Sequence, residues 1–225
     1  ERVARICVEH FEVDSLRLTG GEPTVRAHLT VLIDKLSKLR VPATASSEFA
    51  GKQPDIALTT NASTLRNIAY ELKAAGLSRI NVSLDSLHRE RFEQMTRRDE
   101  LENVLEGIKV AQDAGFSPVK LNAVIERGMN DDEIVSLAAF GRDTGVEVRF
   151  IEFMPLDASE EWGMKKVVSQ DEIVAAISAV YPLEQMSARG AAPADRWRYL
   201  DGHGVVGVIP SVTKPFCADC DRVRI

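Results

Sequence analysis

Residues 55–85 read DIALTTNASTLRNIAYELKAAGLSRINVSLD, in which a strand pattern, a helix pattern and a second strand pattern follow one another directly. The middle run repeats apolar residues at helical spacing and stops at Gly76. A glycine after such a run supplies the left-handed position in which helices commonly end. The segment therefore predicts a β-α-β unit whose two parallel strands are joined by a right-handed crossover.

The same alternation extends to both sides of this segment. SLRLTGG and HLTVLIDKLSKL precede it, and LENVLEGIKVAQDAG, PVKLNAVIE, DDEIVSLAAFGRDTG and VEVRFIEFM follow it. After Met154 the rhythm changes to a last helical run, QDEIVAAISAVY, and then to RWRYLD and GVVGVIPSV, which suggest a β-hairpin. We therefore predict an α/β fold with two parts, a parallel strand-and-helix part over 1–156 and a smaller C-terminal β layer over 157–225.

Composition limits the function classes. A chain of 225 residues with 44% hydrophobic residues can bury a full core, and its net charge of -6 argues against a nucleic-acid polymer as partner. No run approaches the roughly 18 apolar residues of a membrane span, and the N-terminus lacks the apolar core of a signal peptide. These features predict a cytoplasmic protein with no membrane partner.

Polar residues gather where the predicted strands end. In parallel α/β folds these ends hold the active site. Strand alternation places Asn81, Ser83 and Asp85 on one face, and Lys120 with Asn122 on another. The turn TGGEP at 19–23 and the polar residues Arg149 and Glu152 complete the set, and the apolar Met154 follows them. Together they predict a ligand-lined opening, although each residue also has a structural interpretation.

Those alternatives stay open for single residues. Gly20 and Gly21 let backbone approach a ligand, with Glu22 as an acceptor for an amine, but a tight turn explains them as well. Lys120 is costly to bury unless it meets an anion or acts as an amine, and the alternative is a side chain that reaches water. Met154 is by default a packing residue.

The cysteines indicate metal or redox chemistry. Cys217 and Cys220 form a Cys-x-x-Cys pair that suits half a zinc site, a redox dithiol or two ligands of an iron–sulfur cluster. Arg222 and Arg224 follow and suit phosphate binding, with solvated charges as the alternative. Cys7, within a helical pattern, is most simply a small buried hydrophobe.

The segments LRLTGGEP, LTTN, INVSLD, VKLNAVI, RFIEFM and KPFCADCDRVRI, in this order, resemble the GTP 3′,8-cyclase family of radical S-adenosylmethionine (SAM) enzymes almost end to end. The resemblance implies an incomplete (β/α)6 barrel, here without its first strand. It also implies a C-terminal layer that binds an auxiliary cluster, two [4Fe-4S] clusters in all, SAM as cofactor and GTP as substrate.

The resemblance also implies residue roles. The implied SAM contacts are Gly21, Ser83 and Met154, with Asn122 and Arg149 as weaker candidates. The implied GTP contacts are Arg17, Thr59, Lys120, Arg222, Val223 and Arg224, of which Arg17 and Lys120 are the predicted catalytic residues. Cys217 and Cys220 would supply two of the three cysteine ligands of the auxiliary cluster.

The sequence departs from the family in three places. The CxxxCxxC motif that holds the SAM cluster is expected before residue 1, and the third auxiliary cysteine after Ile225. Both chain ends therefore read as cut, and the piece is expected to be inactive by itself. Ala62 replaces a glycine that the family commonly has after TTN.

For an intact relative, the resemblance implies that a radical derived from SAM removes the C3′ hydrogen of GTP, and that C3′ then joins C8. The product, 3′,8-cyclo-7,8-dihydro-GTP, would pass to cyclic pyranopterin monophosphate synthase in molybdenum cofactor biosynthesis. A homodimer is expected by analogy, and the electron donor is unspecified. The alternatives are another radical SAM maturase, an aldolase with Lys120 as Schiff base, and a noncatalytic nucleotide- or metal-binding protein.

Overall fold

The chain folds into two compact units. The computed structural model describes residues 1–154, 164–187 and 192–215. Residues 1–83 and 100–119 form the first unit, and residues 84–99 and 120–225 belong to the second. The boundary predicted near residue 157 falls within the second unit, among residues outside the described ranges, and stays a prediction.

Helices and strands alternate along most of the chain. In order they are α1 (Arg2–Phe11), β1 (Ser15–Leu18), α2 (Leu29–Ser37), β2 (Asp55–Thr60), α3 (Leu65–Ala74), β3 (Arg79–Ser83), α4 (Arg89–Thr96), α5 (Leu101–Asp113), β4 (Lys120–Ile125), α6 (Ile134–Thr144), β5 (Glu147–Glu152), α7 (Gln170–Ser178), β6 (Leu183–Gln185), β7 (Asp195–Tyr199) and β8 (Val205–Ile209). Across the described ranges, none of these helices is both long enough and apolar enough to cross a membrane.

In the first unit, β1, β2 and β3 are parallel, with β2 between the other two. Register partners such as Leu58 and Ile80 share one side of these strands and are fully buried. The other side, which we call the first polar face, carries Ser15, Arg17, Asp55, Ala57, Thr59, Arg79, Asn81 and Ser83. The division follows from the two-residue period of a strand.

A glycine in α5 allows close packing near the end of β2. A Cβ at Gly107 would lie 2.8 Å from the carbonyl oxygen of Ala62. Ala62 is fully buried and has a φ of 60°. Because a Cβ disfavours this left-handed conformation, glycine would suit the position.

In the second unit, β4, β5 and β8 are parallel, and β7 pairs antiparallel with both β8 and β6. The predicted hairpin is confirmed, because Asp195 of β7 pairs with Val208 of β8. The parallel pairing of β8 with β5, through Phe150 and Val208, was not anticipated. Nor were the short elements α4 and β6.

The fold class is confirmed as mixed α/β. The five predicted parallel strands all form, β1 to β3 in the first unit and β4 with β5 in the second. The helix end predicted at Gly76 has the expected positive φ value, and Gly115 and Gly145 share this conformation. Thr64 occupies the N-cap of α3, and its side chain makes no capping hydrogen bond.

The start of α7 provides a pH-dependent contribution to stability. Ser169 accepts from the backbone of Glu172, and the Glu172 carboxylate accepts from the Ser169 backbone N–H at 3.0 Å and from Arg127 at 2.8 Å. The Ser169 N–H first, and then the Arg127 guanidinium, lower the pKa of Glu172 from 4.5 to about 2. A lowered pKa favours the folded state above pH 4.5, and the benefit disappears as the pH falls toward 2.

We therefore expect Glu172→Gln to cost roughly 0.5–1 kcal/mol at pH 6, a modest value because the pair is half-exposed. The difference from wild type should shrink as the pH falls through this window. Urea unfolding at pH 6, 4 and 3 measures it, with exposed Glu93→Gln in α4 as control. A difference that stays constant with pH would contradict the assignment.

Candidate active site

The first polar face holds three of the predicted site residues. Arg17 and Ser83 are exposed and Thr59 is half-buried. Thr59 is the register partner of Asn81, whose amide donates to the Leu58 carbonyl at 3.5 Å. Ser83 lies one residue beyond the last position of β3 that pairs with β2. Strand alternation predicted that Asn81 and Ser83 share a face, and the structure adds Arg17 and Thr59 to it. The roles of these residues remain predictions.

The turn after β1 exposes its backbone. Gly20 has a φ of 105°, and a Cβ on Gly20 or Gly21 would have no neighbour within 4 Å. A side chain at Gly21 would extend into the space that a ligand needs to reach the peptide groups. The turn therefore suits a ligand bound through main-chain groups.

Glu22 is occupied by protein donors. Its Oε1 accepts from the Thr24 backbone N–H at 3.0 Å, from the Thr24 hydroxyl at 2.6 Å and from the Thr60 hydroxyl at 2.7 Å. Its Oε2 accepts from the Asn61 N–H at 2.7 Å. The sequence suggested an acceptor for a ligand amine, whereas the structure assigns Glu22 to join the turn after β1 to the end of β2. We call this arrangement the Glu22 clamp.

The second unit has a polar face of its own, which we call the second polar face. Lys120 and Asn122 of β4 lie beside Glu147 and Arg149 of β5 in register. The Asn122 side-chain oxygen is buried and accepts no hydrogen bond from the described residues. A buried acceptor without a donor is costly, so this atom suits a ligand hydroxyl or N–H group.

Asp85 was predicted to share a strand face with Asn81 and Ser83. In the structure it links the chain after β3 to β4. Its carboxylate accepts from the Val124 N–H at 2.7 Å. The buried Asn130 donates to the carbonyls of Asp85 and Val124 at 2.7 and 2.8 Å and accepts from the Glu126 N–H at 2.9 Å. Burial raises the pKa of Asp85, and the Val124 N–H partly offsets this. These bonds fix the C-terminal half of β4.

Two arginines share one carboxylate on the second polar face. Arg149 Nε donates to Glu147 Oε1 at 2.8 Å, and Arg196 Nη2 donates to Glu147 Oε2 at 3.3 Å. Gly207 lies between the arginines in register, and a Cβ there would be 3.2 Å from Arg149 Cγ. Sequence reasoning missed Glu147 and Arg196, because only the strand pairing reveals their proximity.

Glu152 lies on the opposite side of β5 from Arg149 and is fully buried. Its Oε1 accepts from the Gln170 N–H at 2.9 Å and from the Thr213 hydroxyl at 2.5 Å. Its Oε2 accepts from the N–H groups of Val212 and Thr213, each at 2.8 Å. Glu152 was predicted with the strand-end polar set, but it anchors the chain after β8.

The remaining predicted residues are described only in part. Met154 is described and 55% exposed, which disfavours its default interpretation as a packing residue. Cys7 is half-buried in α1. Cys217, Cys220, Arg222, Val223 and Arg224 lie outside the described residues. Over the ranges that the structure describes, no three His, Cys, Asp or Glu side chains are placed to hold a metal ion.

Parallel strands whose carboxyl ends carry polar residues, with a glycine-rich turn after the first of them, are typical of α/β enzymes. The chain belongs to the radical SAM superfamily, whose profile matches residues 1–141. Residues 146–225 match the family Molybdenum Cofactor Synthesis C. Membership implies SAM and iron–sulfur chemistry. In the first unit the open turn at Gly21 suits a ligand bound through main-chain groups, and in the second the buried Asn122 oxygen suits a hydroxyl or N–H donor.

Curated relatives match along the chain. The GTP 3′,8-cyclase of Streptomyces coelicolor is 42% identical over 226 residues, covering all of this chain and 63% of that protein. That of Acidothermus cellulolyticus is 44% identical over 229 residues, again covering all of this chain and 60% of the relative. Mycobacterium bovis GTP 3′,8-cyclase 3 is 40% identical over 95% of this chain and 54% of its own length. The chain thus spans about three fifths of these relatives.

Solved structures agree on the fold. The radical SAM enzyme coproporphyrinogen III oxidase (HemN) of Escherichia coli has a TM-score of 0.55 at 14% identity, covering 79% of this chain and 44% of that one. TYW1 with a bound lysine-pyruvate adduct has a TM-score of 0.52 at 14% identity, covering 77% and 53%. At such identities the likeness concerns the fold alone.

Proposed function

We propose that the protein containing this chain is a GTP 3′,8-cyclase that converts GTP to 3′,8-cyclo-7,8-dihydro-GTP in the first step of molybdenum cofactor biosynthesis. The observation that carries the proposal is the 42–44% identity to enzymes of that name over all of this chain. Further support comes from the two polar faces. The first polar face carries the predicted contacts Arg17, Thr59 and Ser83. The second carries the predicted contacts Lys120, Asn122 and Arg149.

The proposal assigns each candidate residue a role. SAM would contact Gly21, Ser83 and Met154, with Asn122 and Arg149 as further contacts. GTP would contact Arg17, Thr59, Lys120, Arg222, Val223 and Arg224. Two [4Fe-4S] clusters are proposed, and Cys217 and Cys220 would bind the auxiliary one, since a Cys-x-x-Cys pair places two thiolates within reach of one cluster.

The bound cofactors would supply a carbon-centred radical able to remove a hydrogen atom. The contribution of the chain is then mainly positioning, because such a radical attacks the nearest C–H bond. Arg17 and Lys120 would hold the phosphate oxygens through charge-assisted hydrogen bonds and so set which ribose carbon is presented. Arg17 is exposed at the edge strand of its unit, where a large anion has access.

The proposal extends to partners. The protein would act in the cytoplasm as a homodimer and pass its product to cyclic pyranopterin monophosphate synthase. The family resemblance supports these assignments, and the net charge of -6 agrees with a small nucleotide as ligand in preference to a nucleic-acid polymer.

An anaerobic turnover assay tests the proposal. The protein is expressed from its complete reading frame, reconstituted with iron and sulfide, and given SAM, reductant and GTP. We expect both 5′-deoxyadenosine and cyclised GTP, with Lys120→Ala lowering the cyclised product at least tenfold because a phosphate partner is lost. The control Lys109→Ala removes a lysine whose partner is Asp113 in its own helix and should leave the product unchanged.

The possible outcomes test the radical SAM chemistry, the GTP substrate and the role of Lys120 separately. If 5′-deoxyadenosine forms without consumption of GTP, the superfamily chemistry stands and the GTP assignment fails. If neither product forms in protein with loaded clusters, the cyclase proposal is wrong. Equal product from Lys120→Ala and Lys109→Ala would remove the assigned role of Lys120.

A further inference from the structure

We infer that Glu147 is a positioning residue that holds Arg149 and Arg196 as a paired oxyanion subsite on the second polar face, with Arg196 as a ligand contact. The ligand group is a phosphate or a carboxylate. The inference rests on the proposed function for its two candidate ligands, GTP and SAM, which carry these groups. Arg196 enters from β7, a strand for which the sequence suggested no site residue.

The geometry of the carboxylate supports this role. Glu147 is 6% exposed and binds each arginine through a different oxygen, with Oε1 at 2.7 Å from Arg149 Nη2 and Oε2 at 3.3 Å from Arg196 Nη2. A carboxylate bridging two guanidinium groups fixes their separation and lowers their mutual repulsion. The trio keeps one net positive charge, so an anion can still be attracted.

A glycine between the two arginines leaves room for the Arg149 side chain. Arg149, Gly207 and Arg196 lie in one register row across β5, β8 and β7. Because a Cβ at Gly207 would be only 3.2 Å from Arg149 Cγ, the glycine makes room for the arginine side chain over the strand. Arg149 is 14% exposed, so its guanidinium is held within the fold.

Arg196 has unsatisfied capacity as a donor. Its Nε is buried and lacks a hydrogen-bond acceptor among the described residues, while its side chain as a whole is 41% exposed. Leaving a buried donor of a charged group unpaired is costly. A ligand oxygen at this position would satisfy it, and guanidinium groups are well suited to phosphate and carboxylate oxygens.

The neighbouring residues continue the same chemistry. Asn122 pairs in register with Arg149 and has a buried oxygen without a donor, and Lys120 lies two residues earlier on the same face. Lys120, Arg149 and Arg196 each carry a positive charge and Glu147 carries one negative charge. These four residues of the second polar face are therefore positive in sum. A ligand with an anionic group next to a hydroxyl or N–H group would match it.

Equilibrium binding measurements test the inference. The protein is expressed from its complete reading frame and reconstituted with iron and sulfide. Titration calorimetry with GTP, guanosine and SAM is applied to wild type, Arg196→Gln and Glu147→Gln. Arg196→Gln should raise the Kd of one anionic ligand by about tenfold to a hundredfold and leave guanosine unchanged. Glu147→Gln should raise the same Kd by a smaller factor, because both arginines remain but are less well held.

The matched control is Arg198→Gln. Arg198 lies on the same strand and pairs with Glu184 instead, at 63% exposure, so the variant makes the same charge change away from the row. Its effect on each Kd should be less than twofold. Thermal unfolding of every variant identifies any that are misfolded. If Arg196→Gln is misfolded, the ligand affinities of Arg196→Lys, which keeps the charge, are compared with those of wild type instead.

The results show which ligand supplies the anionic group, and they separate failure of the subsite inference from failure of the proposed function. A weaker Kd for GTP alone identifies the group as phosphate, and a weaker Kd for SAM alone identifies it as carboxylate. Wild-type protein that binds no GTP would refute the proposed function, and the SAM titration would then decide the subsite. If Arg196→Gln and Arg198→Gln bind every ligand alike, the subsite inference is wrong.

Discussion

Replacing Glu152 by Ala is expected to lower the free energy of unfolding by roughly 3–4 kcal/mol. The carboxylate is fully buried and accepts from four donors, and no cation contributes to this set. Truncation would leave the N–H groups of Gln170, Val212 and Thr213 without their acceptor. Each such loss is costly, which places the change among the more severe single substitutions.

Urea unfolding followed by circular dichroism measures the effect. The control is Glu184→Ala on β6, whose carboxylate is 50% exposed and pairs with Arg198, and we expect it to cost no more than about 1 kcal/mol. Glu152→Gln should fall between the two, since its amide nitrogen cannot accept from two N–H groups. A cost for Glu152→Ala as small as that of the control would show that the anchor is not needed.

The Glu152 variant should also affect the cysteine pair. Thr213 lies four residues before Cys217 in the sequence, so the anchor fixes the chain shortly before the proposed cluster ligands. We expect Glu152→Ala protein to retain less iron after reconstitution than the Glu184→Ala control. Iron and sulfide content per chain would measure this second effect.

Glu22→Ala is expected to weaken SAM binding by about a hundredfold and to cost roughly 2–3 kcal/mol in stability. The carboxylate joins the turn after β1 to the end of β2 through bonds from Thr24, Thr60 and Asn61. Without it, the turn containing Gly21 would sample many conformations, and a ligand bound through its backbone would have to order it.

SAM titration and urea unfolding of the same preparations test this prediction. Glu48→Ala, at an exposed position of the same unit, is the control and should change neither quantity measurably. Loss of stability with unchanged SAM affinity would show that the clamp is purely structural and that SAM does not use this turn. Unchanged stability would contradict the hydrogen-bond arrangement itself.

The sequence predicted the elements with strong local patterns and missed those set by distant contacts. All five parallel strands were predicted because each alternates clearly or is bounded by a glycine or a polar end. The short strand β6 has only three residues and carries little pattern. Its place is decided by pairing with β7.

For the site, strand alternation predicted a shared face for Asn81, Ser83 and Asp85, and the first polar face carries Asn81 and Ser83. Alternation could not assign Glu22, because two of the four donors to its carboxylate, the Thr60 hydroxyl and the Asn61 N–H, lie 38 and 39 residues away at the end of β2. The pairing of Glu147 with Arg196 spans 49 residues and depends on β8 lying between β5 and β7. Such contacts follow from strand order, which a single sequence does not reveal.

The Glu22 clamp has a consequence for how ligand specificity can change. Because Glu22 accepts four hydrogen bonds from protein donors, the protein itself ties the Gly20–Gly21 turn to the end of β2. If Thr59 and Lys120 contact the substrate as proposed, these side chains can be exchanged while the turn is kept. One scaffold can in this way acquire new substrates through a few strand substitutions.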